Sequence, residues 1–97
     1  SADSERVVVV SGTEYAFAPA ELRAGAGEAL AVTFRNDGTV PHTFTLPAAD
    51  ADTGSVAPGT EMTVAFAAPH EPGPYEYLCS FGGHPEAGMV GSFVVEA

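Results

Sequence analysis

From Leu30 to Arg35 the chain alternates without a break, with Leu30, Val32 and Phe34 to one side and Ala31, Thr33 and Arg35 to the other. Strict alternation of apolar and polar residues is the mark of a β-strand with one face buried. The pattern returns in His42–Leu46 and in Glu61–Phe66. It returns again in Tyr75–Cys79, where Tyr75, Tyr77 and Cys79 share a side, and at Phe93 and Val95 near the end. Val7–Val10 is a β-branched run that stops at Ser11-Gly12. Asn36-Asp37-Gly38, Pro58-Gly59 and Pro72-Gly73-Pro74 punctuate the pieces with strong turn signals. The one segment of helical composition, Ala48–Val56, is short and holds Gly54, so it reads as a loop or a single turn. Short strands and closely spaced turns predict an all-β fold, an antiparallel sandwich, with residues 1–97 as a single domain.

Size and charge narrow the function. Ninety-seven residues bury only a modest core, so a metal closing one end of the fold would add appreciably to its stability. Thirteen acidic residues face three arginines and no lysine, for a formal charge of −10. A surface so poor in cations cannot displace the counterions of a nucleic acid, and it disfavours adsorption to anionic lipid. It suits either docking to a basic redox partner or solubility and adaptation to high salt. No apolar run approaches the roughly 20 residues of a membrane span, so no direct insertion is expected. The start, Ser1-Ala2-Asp3-Ser4-Glu5, lacks the features of a signal peptide and reads as a mature or trimmed end.

Chemistry concentrates near the C-terminus. Cys79, His84 and Met89 follow one another with four residues between each pair, and His42 begins an upstream alternating segment. A thiolate, two imidazoles and a thioether form a donor set that favours copper, and a weak axial thioether marks a blue-copper electron-transfer site. A closed zinc site would more often recruit a second cysteine, a third histidine or a carboxylate. His42 opens an inward-facing strand and Cys79 closes one, so both can converge at one end of the sandwich. Polar ligands pointing into an apolar core are costly unless something satisfies them, and a metal would.

These motifs resemble the cupredoxins, the blue-copper proteins that include plastocyanin, azurin, halocyanin and rusticyanin. The resemblance runs through Phe17-Ala18-Pro19, Val32-Thr33-Phe34-Arg35-Asn36, Pro41-His42-Thr43-Phe44, Pro58-Gly59-Thr60 and Gly73-Pro74-Tyr75-Glu76-Tyr77-Leu78-Cys79-Ser80 to Met89. It implies a Greek-key sandwich of about eight strands with one type 1 copper ion near one end. In that pattern His42, Cys79 and His84 are equatorial ligands and Met89 is the long axial one. The ligand loop combines azurin-like and plastocyanin-like halves. Many members carry asparagine after the first histidine to pin this loop. Here Thr43 stands there, with a hydroxyl able to pair with Ser80. Plastocyanins expose a tyrosine just before the cysteine, beside an acidic docking patch; Leu78 stands there in this chain.

The function implied is a soluble carrier that shuttles one electron between redox partner proteins such as a cytochrome or a copper enzyme. It is expected to be a monomer outside the cytoplasm, in a periplasm or on the outer face of a cell membrane, either free or, in a full-length form, tethered. The edge of His84 is the expected electron exit, within an apolar collar of Pro41, Phe81, Gly82, Gly83, Pro85 and Ala87. The amides of Thr43 and Phe81 are expected to donate to the sulfur of Cys79. Alternatives are a redox module cut from a larger copper enzyme or membrane-anchored protein, and a copper storage or delivery protein. As an isolated chain it is not expected to be an enzyme. Leu78 and Ser80 flank Cys79 where multicopper oxidases place histidines, and a cysteine hydrolase has no use for a ligand-like Met89. Met62 is expected in the core, His70 in a solvated loop, and Tyr75 with its hydroxyl on backbone.

Overall fold

A computed structural model describes residues 6–81 and 89–97. Among them are nine strands: β1 (Arg6–Thr13), β2 (Ala16–Ala18), β3 (Glu21–Gly25), β4 (Ala29–Asn36), β5 (Thr45–Leu46), β6 (Ala51–Asp52), β7 (Glu61–Ala67), β8 (Gly73–Leu78) and β9 (Val90–Glu96). They form two sheets, one ordered β2-β1-β4-β7 and the other β3-β9-β8-β5-β6. Among the described residues one 3-10 turn, Pro47–Ala49, interrupts them. Proline sets its start, and Asp50 ends it in a left-handed conformation at φ 54°. The segment Ala48–Val56, read as a loop or a single turn, thus holds the end of this turn and then the short strand β6, which was not expected from the sequence.

The fold is the expected all-β sandwich, but it is not wholly antiparallel. β1 lies parallel to β4, and β3 lies parallel to β9. Alternation along a strand reports which face is buried and carries no information about its neighbour's direction. After β2 the chain crosses to the second sheet as β3. It then returns as β4 beside β1, running the same way.

Register places the alternating residues against each other. Val10, Leu30, Val32 and Phe34 from one sheet meet Leu22, Leu46, Tyr77, Phe93 and Val95 from the other, all buried. The Phe17 ring crosses Tyr77 at 5.1 Å and Phe34 at 5.8 Å, both edge-to-face, and Phe44 lies 5.0 Å from Tyr77. Such rings add roughly 0.5–1.5 kcal/mol per pair beyond the area they bury. Tyr77 passes through this cluster to donate its hydroxyl to the carbonyl of Pro19 at 2.8 Å. Burial pushes its pKa up to about 12, with a smaller push from Glu21. Gly91 faces Tyr77 across the β8–β9 ladder. A Cβ there would strike the Tyr77 ring, so this position needs glycine for room.

Three expectations about individual residues are tested by the packing. Tyr75 donates to the carbonyl of Glu71 at 2.7 Å, as foreseen. His70 is exposed, also as foreseen. Met62 is not in the core: it is 47 % exposed. It follows the first residue of β7, an edge strand, so no further strand covers its outer flank.

Candidate metal centre

Asn36, at the end of β4, builds the entry to the site. It is fully buried, and its side-chain nitrogen donates to the carbonyls of Val40 at 2.9 Å and Val56 at 2.8 Å. Its side-chain oxygen accepts the amide of Gly38 at 2.9 Å. One amide thereby ties the turn after β4 to the segment carrying Val56. His42 joins the same segment through two backbone hydrogen bonds, His42 N–H to Val56 O at 3.2 Å and Val56 N–H to His42 O at 2.9 Å. The imidazole is therefore delivered by paired backbone and not by a free loop.

Cys79 follows β8 directly, on the inward side set by Tyr75 and Tyr77. Its sulfur lies 3.9 Å from Nδ1 of His42, and both side chains are fully buried. The amide of Thr43 donates to this sulfur at 3.4 Å, one of the two donors expected from the sequence. The Thr43 hydroxyl accepts the Ser80 amide at 2.8 Å and pairs with the Ser80 hydroxyl at 3.1 Å. Thr43 thus does fasten the His42 segment to the start of the Cys79 loop.

Met89 is also fully buried. Its carbonyl accepts the amide of Cys79 at 3.2 Å, which sets the two residues side by side at the mouth of β8 and β9. Gly12, on β1, leaves space there: a Cβ would press on the Phe34 ring and lie 3.1 Å from the Met89 methyl. His84 lies outside the described residues, as do Gly82, Gly83, Pro85 and Ala87 of the expected collar. Of the four candidate ligands, His42, Cys79 and Met89 are thus described, and all three are buried at one end of the fold.

The donor chemistry of the described residues suits a copper ion. Bonds of roughly 2.3 Å to sulfur and 2.0–2.1 Å to imidazole nitrogen are usual for a late first-row ion such as zinc. Their sum exceeds the 3.9 Å between Cys79 Sγ and His42 Nδ1, so one ion can reach both. The Thr43 amide opposite the sulfur suits a thiolate, which accepts such a bond better than a thiol does.

Glu14, in the turn between β1 and β2, is, with Asn36, a site residue that the sequence did not reveal. Its carboxylate meets Nε2 of His42 at 2.6 Å. The hydrogen bond from His42, then those from the Thr39 hydroxyl and amide, hold its pKa down to about 2. An acidic residue in an exposed turn, 28 positions before the histidine it touches, carries no sequence signal of that contact.

The chain belongs to the cupredoxin family: the model of the cupredoxin-like domain matches residues 1–95. No curated protein matches it significantly in sequence. Among solved structures it is similar to an auracyanin from the photosynthetic bacterium Roseiflexus castenholzii, at 22 % identity and a TM-score of 0.84, covering 97 % of this chain and 99 % of that one. It is also similar to auracyanin A of Chloroflexus aurantiacus, described as a "blue" copper protein. That match has 25 % identity, a TM-score of 0.81 and coverage of 93 % and 98 %. A Cu-containing nitrite reductase from Thermus scotoductus matches at 26 % identity and a TM-score of 0.78, covering 95 % of this chain but 28 % of that one.

Proposed function

We propose that this protein is an electron carrier with one type 1 copper ion held by His42, Cys79, His84 and Met89. The observation that carries the reading is the buried pair of Cys79 Sγ and His42 Nδ1, 3.9 Å apart and braced by the Thr43 amide. Family membership and the full-length likeness to a "blue" copper protein support it. Bound copper would supply a Cu(II)/Cu(I) couple for one-electron exchange. The residues' task is to hold the same donors for both states. His42 is fixed by backbone pairing, Cys79 by the end of β8, and Met89 by its bond to Cys79. The Thr43 amide stabilises negative charge on the sulfur; the Phe81 amide is proposed as a second such donor, so Phe81→Pro is expected to lower the potential. His84 is the proposed electron exit, and redox proteins outside the cytoplasm are the proposed partners.

Two rivals are weighed by the same geometry. Glu14, His42 and Cys79 line up as acid, imidazole and thiol, the order of a hydrolytic relay. Cys79 has no exposed surface from which to attack a substrate, so that reading fails. Burial of Cys79, His42 and Met89 likewise disfavours copper delivery, which calls for accessible ligands. The likeness to one part of a nitrite reductase favours, as a second reading, a redox module working within a larger copper enzyme.

The test is to add Cu(II) to the metal-free protein and record its visible spectrum. An intense thiolate-to-copper band, absent from Cys79→Ser, is expected. A colourless complex, or a band that survives the substitution, would remove the proposal. Reversible electron exchange with a cytochrome, without release of copper, separates a carrier from a storage protein.

A further inference from the structure

Glu14 does more than occupy a turn. One carboxylate oxygen meets His42 Nε2 at 2.6 Å, and the other accepts the Thr39 amide at 2.8 Å and the Thr39 hydroxyl at 2.7 Å. The Glu14 side chain is 25 % exposed while that of His42 is fully buried, so the contact reaches in from the rim of the fold. Gly38 makes room for it: a Cβ at this position would collide with the Glu14 carboxylate and come within 3.0 Å of His42 Nε2. Three separate pieces of chain, the β1–β2 turn, the turn after β4 and the His42 segment, therefore converge on one carboxylate.

The imidazole can serve as a metal ligand through Nδ1 only if that nitrogen presents a lone pair. A neutral ring carries its proton on one nitrogen, and an acceptor fixed at Nε2 draws the proton there. The carboxylate also raises the donor strength of the ring, as carboxylates behind metal-bound histidines generally do. We propose that Glu14 is a positioning residue for His42: it fixes the Nε2–H tautomer, aims Nδ1 at the space shared with Cys79, and favours the more highly charged oxidation state of the bound ion. This rests on the copper reading given above for its last part, but not for the first two.

Two measurements on the whole chain test it. In the metal-free protein, the ¹⁵N resonances of the His42 ring should report the Nε2–H tautomer. In Glu14→Ala they should report a mixture of tautomers or the Nδ1–H form. In the copper-loaded protein, outer partners of this kind change metal affinity roughly 10–100-fold. Glu14→Ala should weaken Cu(II) at least tenfold more than Cu(I), which raises the midpoint potential by about 59 mV for each tenfold difference. Glu14→Gln, which keeps the size and loses the charge, should shift the potential in the same direction. An Nδ1–H tautomer in the parent protein overturns the proposal, even should Glu14→Ala fail to fold. So does a blue Glu14→Ala or Glu14→Gln protein whose potential matches the parent. A parent with the Nε2–H tautomer that binds no copper would instead sink the copper reading and leave the positioning role standing.

Discussion

Replacing Thr43 by valine removes one oxygen and almost no volume, and that oxygen holds the His42 segment to the Cys79 loop. Three hydrogen bonds end on it: from the Ser80 amide at 2.8 Å, with the Ser80 hydroxyl at 3.1 Å, and with the Thr45 hydroxyl at 3.1 Å. The two hydroxyl partners can rotate, and Ser80 is exposed enough to turn to water. The part-buried Ser80 amide cannot turn, and a donor left without an acceptor costs about 1–3 kcal/mol. Partial access to water at Ser80 places the loss in the lower part of that range, about 1–2 kcal/mol. With a urea slope of about 1–3 kcal/mol/M for a small domain, the midpoint should fall by roughly 0.3–2 M at unchanged slope. Thr43→Ser is the control, since it keeps the oxygen and loses a methyl for about 1 kcal/mol. Hydrogen exchange at the Ser80 amide should speed up in Thr43→Val and not in Thr43→Ser. A valine variant within about 0.5 kcal/mol of the parent, with Ser80 exchange unchanged, would refute the reasoning, since that is the scatter of featureless sites.

Further perturbations follow from the packing. Phe44→Ala, at the centre of the aromatic cluster, should cost about 3–5 kcal/mol, much of the roughly 5–15 kcal/mol a small protein has, as read from thermal or urea unfolding. Gly91→Ala forces a methyl into the Tyr77 ring and should cost about 1–3 kcal/mol by overpacking; combined with Tyr77→Phe it should cost no less, since the ring remains. Arg6 and Glu28 pair at 2.9 Å. The Arg6 hydrogen bond, then the Gly25 amide, lower the Glu28 pKa below its ordinary 4.5. A carboxylate with a lowered folded-state pKa contributes stability above 4.5 that disappears as the pH falls through the lowered value. Arg6→Ala should therefore lose about 0.2–1 kcal/mol at neutral pH, the range for an exposed pair. The gap from the parent should narrow in acid, with the bond from Arg6 to the Arg23 carbonyl left to account for any remainder, and a gap independent of pH would count against the pairing.

Much of the fold was written in alternation. Leu30, Val32 and Phe34 are buried as their spacing demands, and Tyr77, Cys79, Phe93 and Val95 follow the same rule. Strand direction was not legible, because a period of two is the same for parallel and antiparallel neighbours; hence the unforeseen pairs β1–β4 and β3–β9. Met62 shows a second limit: alternation names a face, but only position in the sheet decides whether that face is covered. At the site, His42 and Cys79 were recognisable because their residue types are rare and chemically distinctive. Glu14 and Asn36 were not. Acids are abundant on this surface, asparagine is common in turns, and what matters in both cases is a partner fixed only by the folded chain.

The bond from the Cys79 amide to the Met89 carbonyl continues the β8–β9 ladder one rung beyond its last strand pair, Leu78 with Val90. The segment between those two residues is consequently sealed at its neck. Shortening or lengthening it by grafting should leave the alignment of the two strands untouched, so this stretch is a natural place for the protein to be retuned without being refolded.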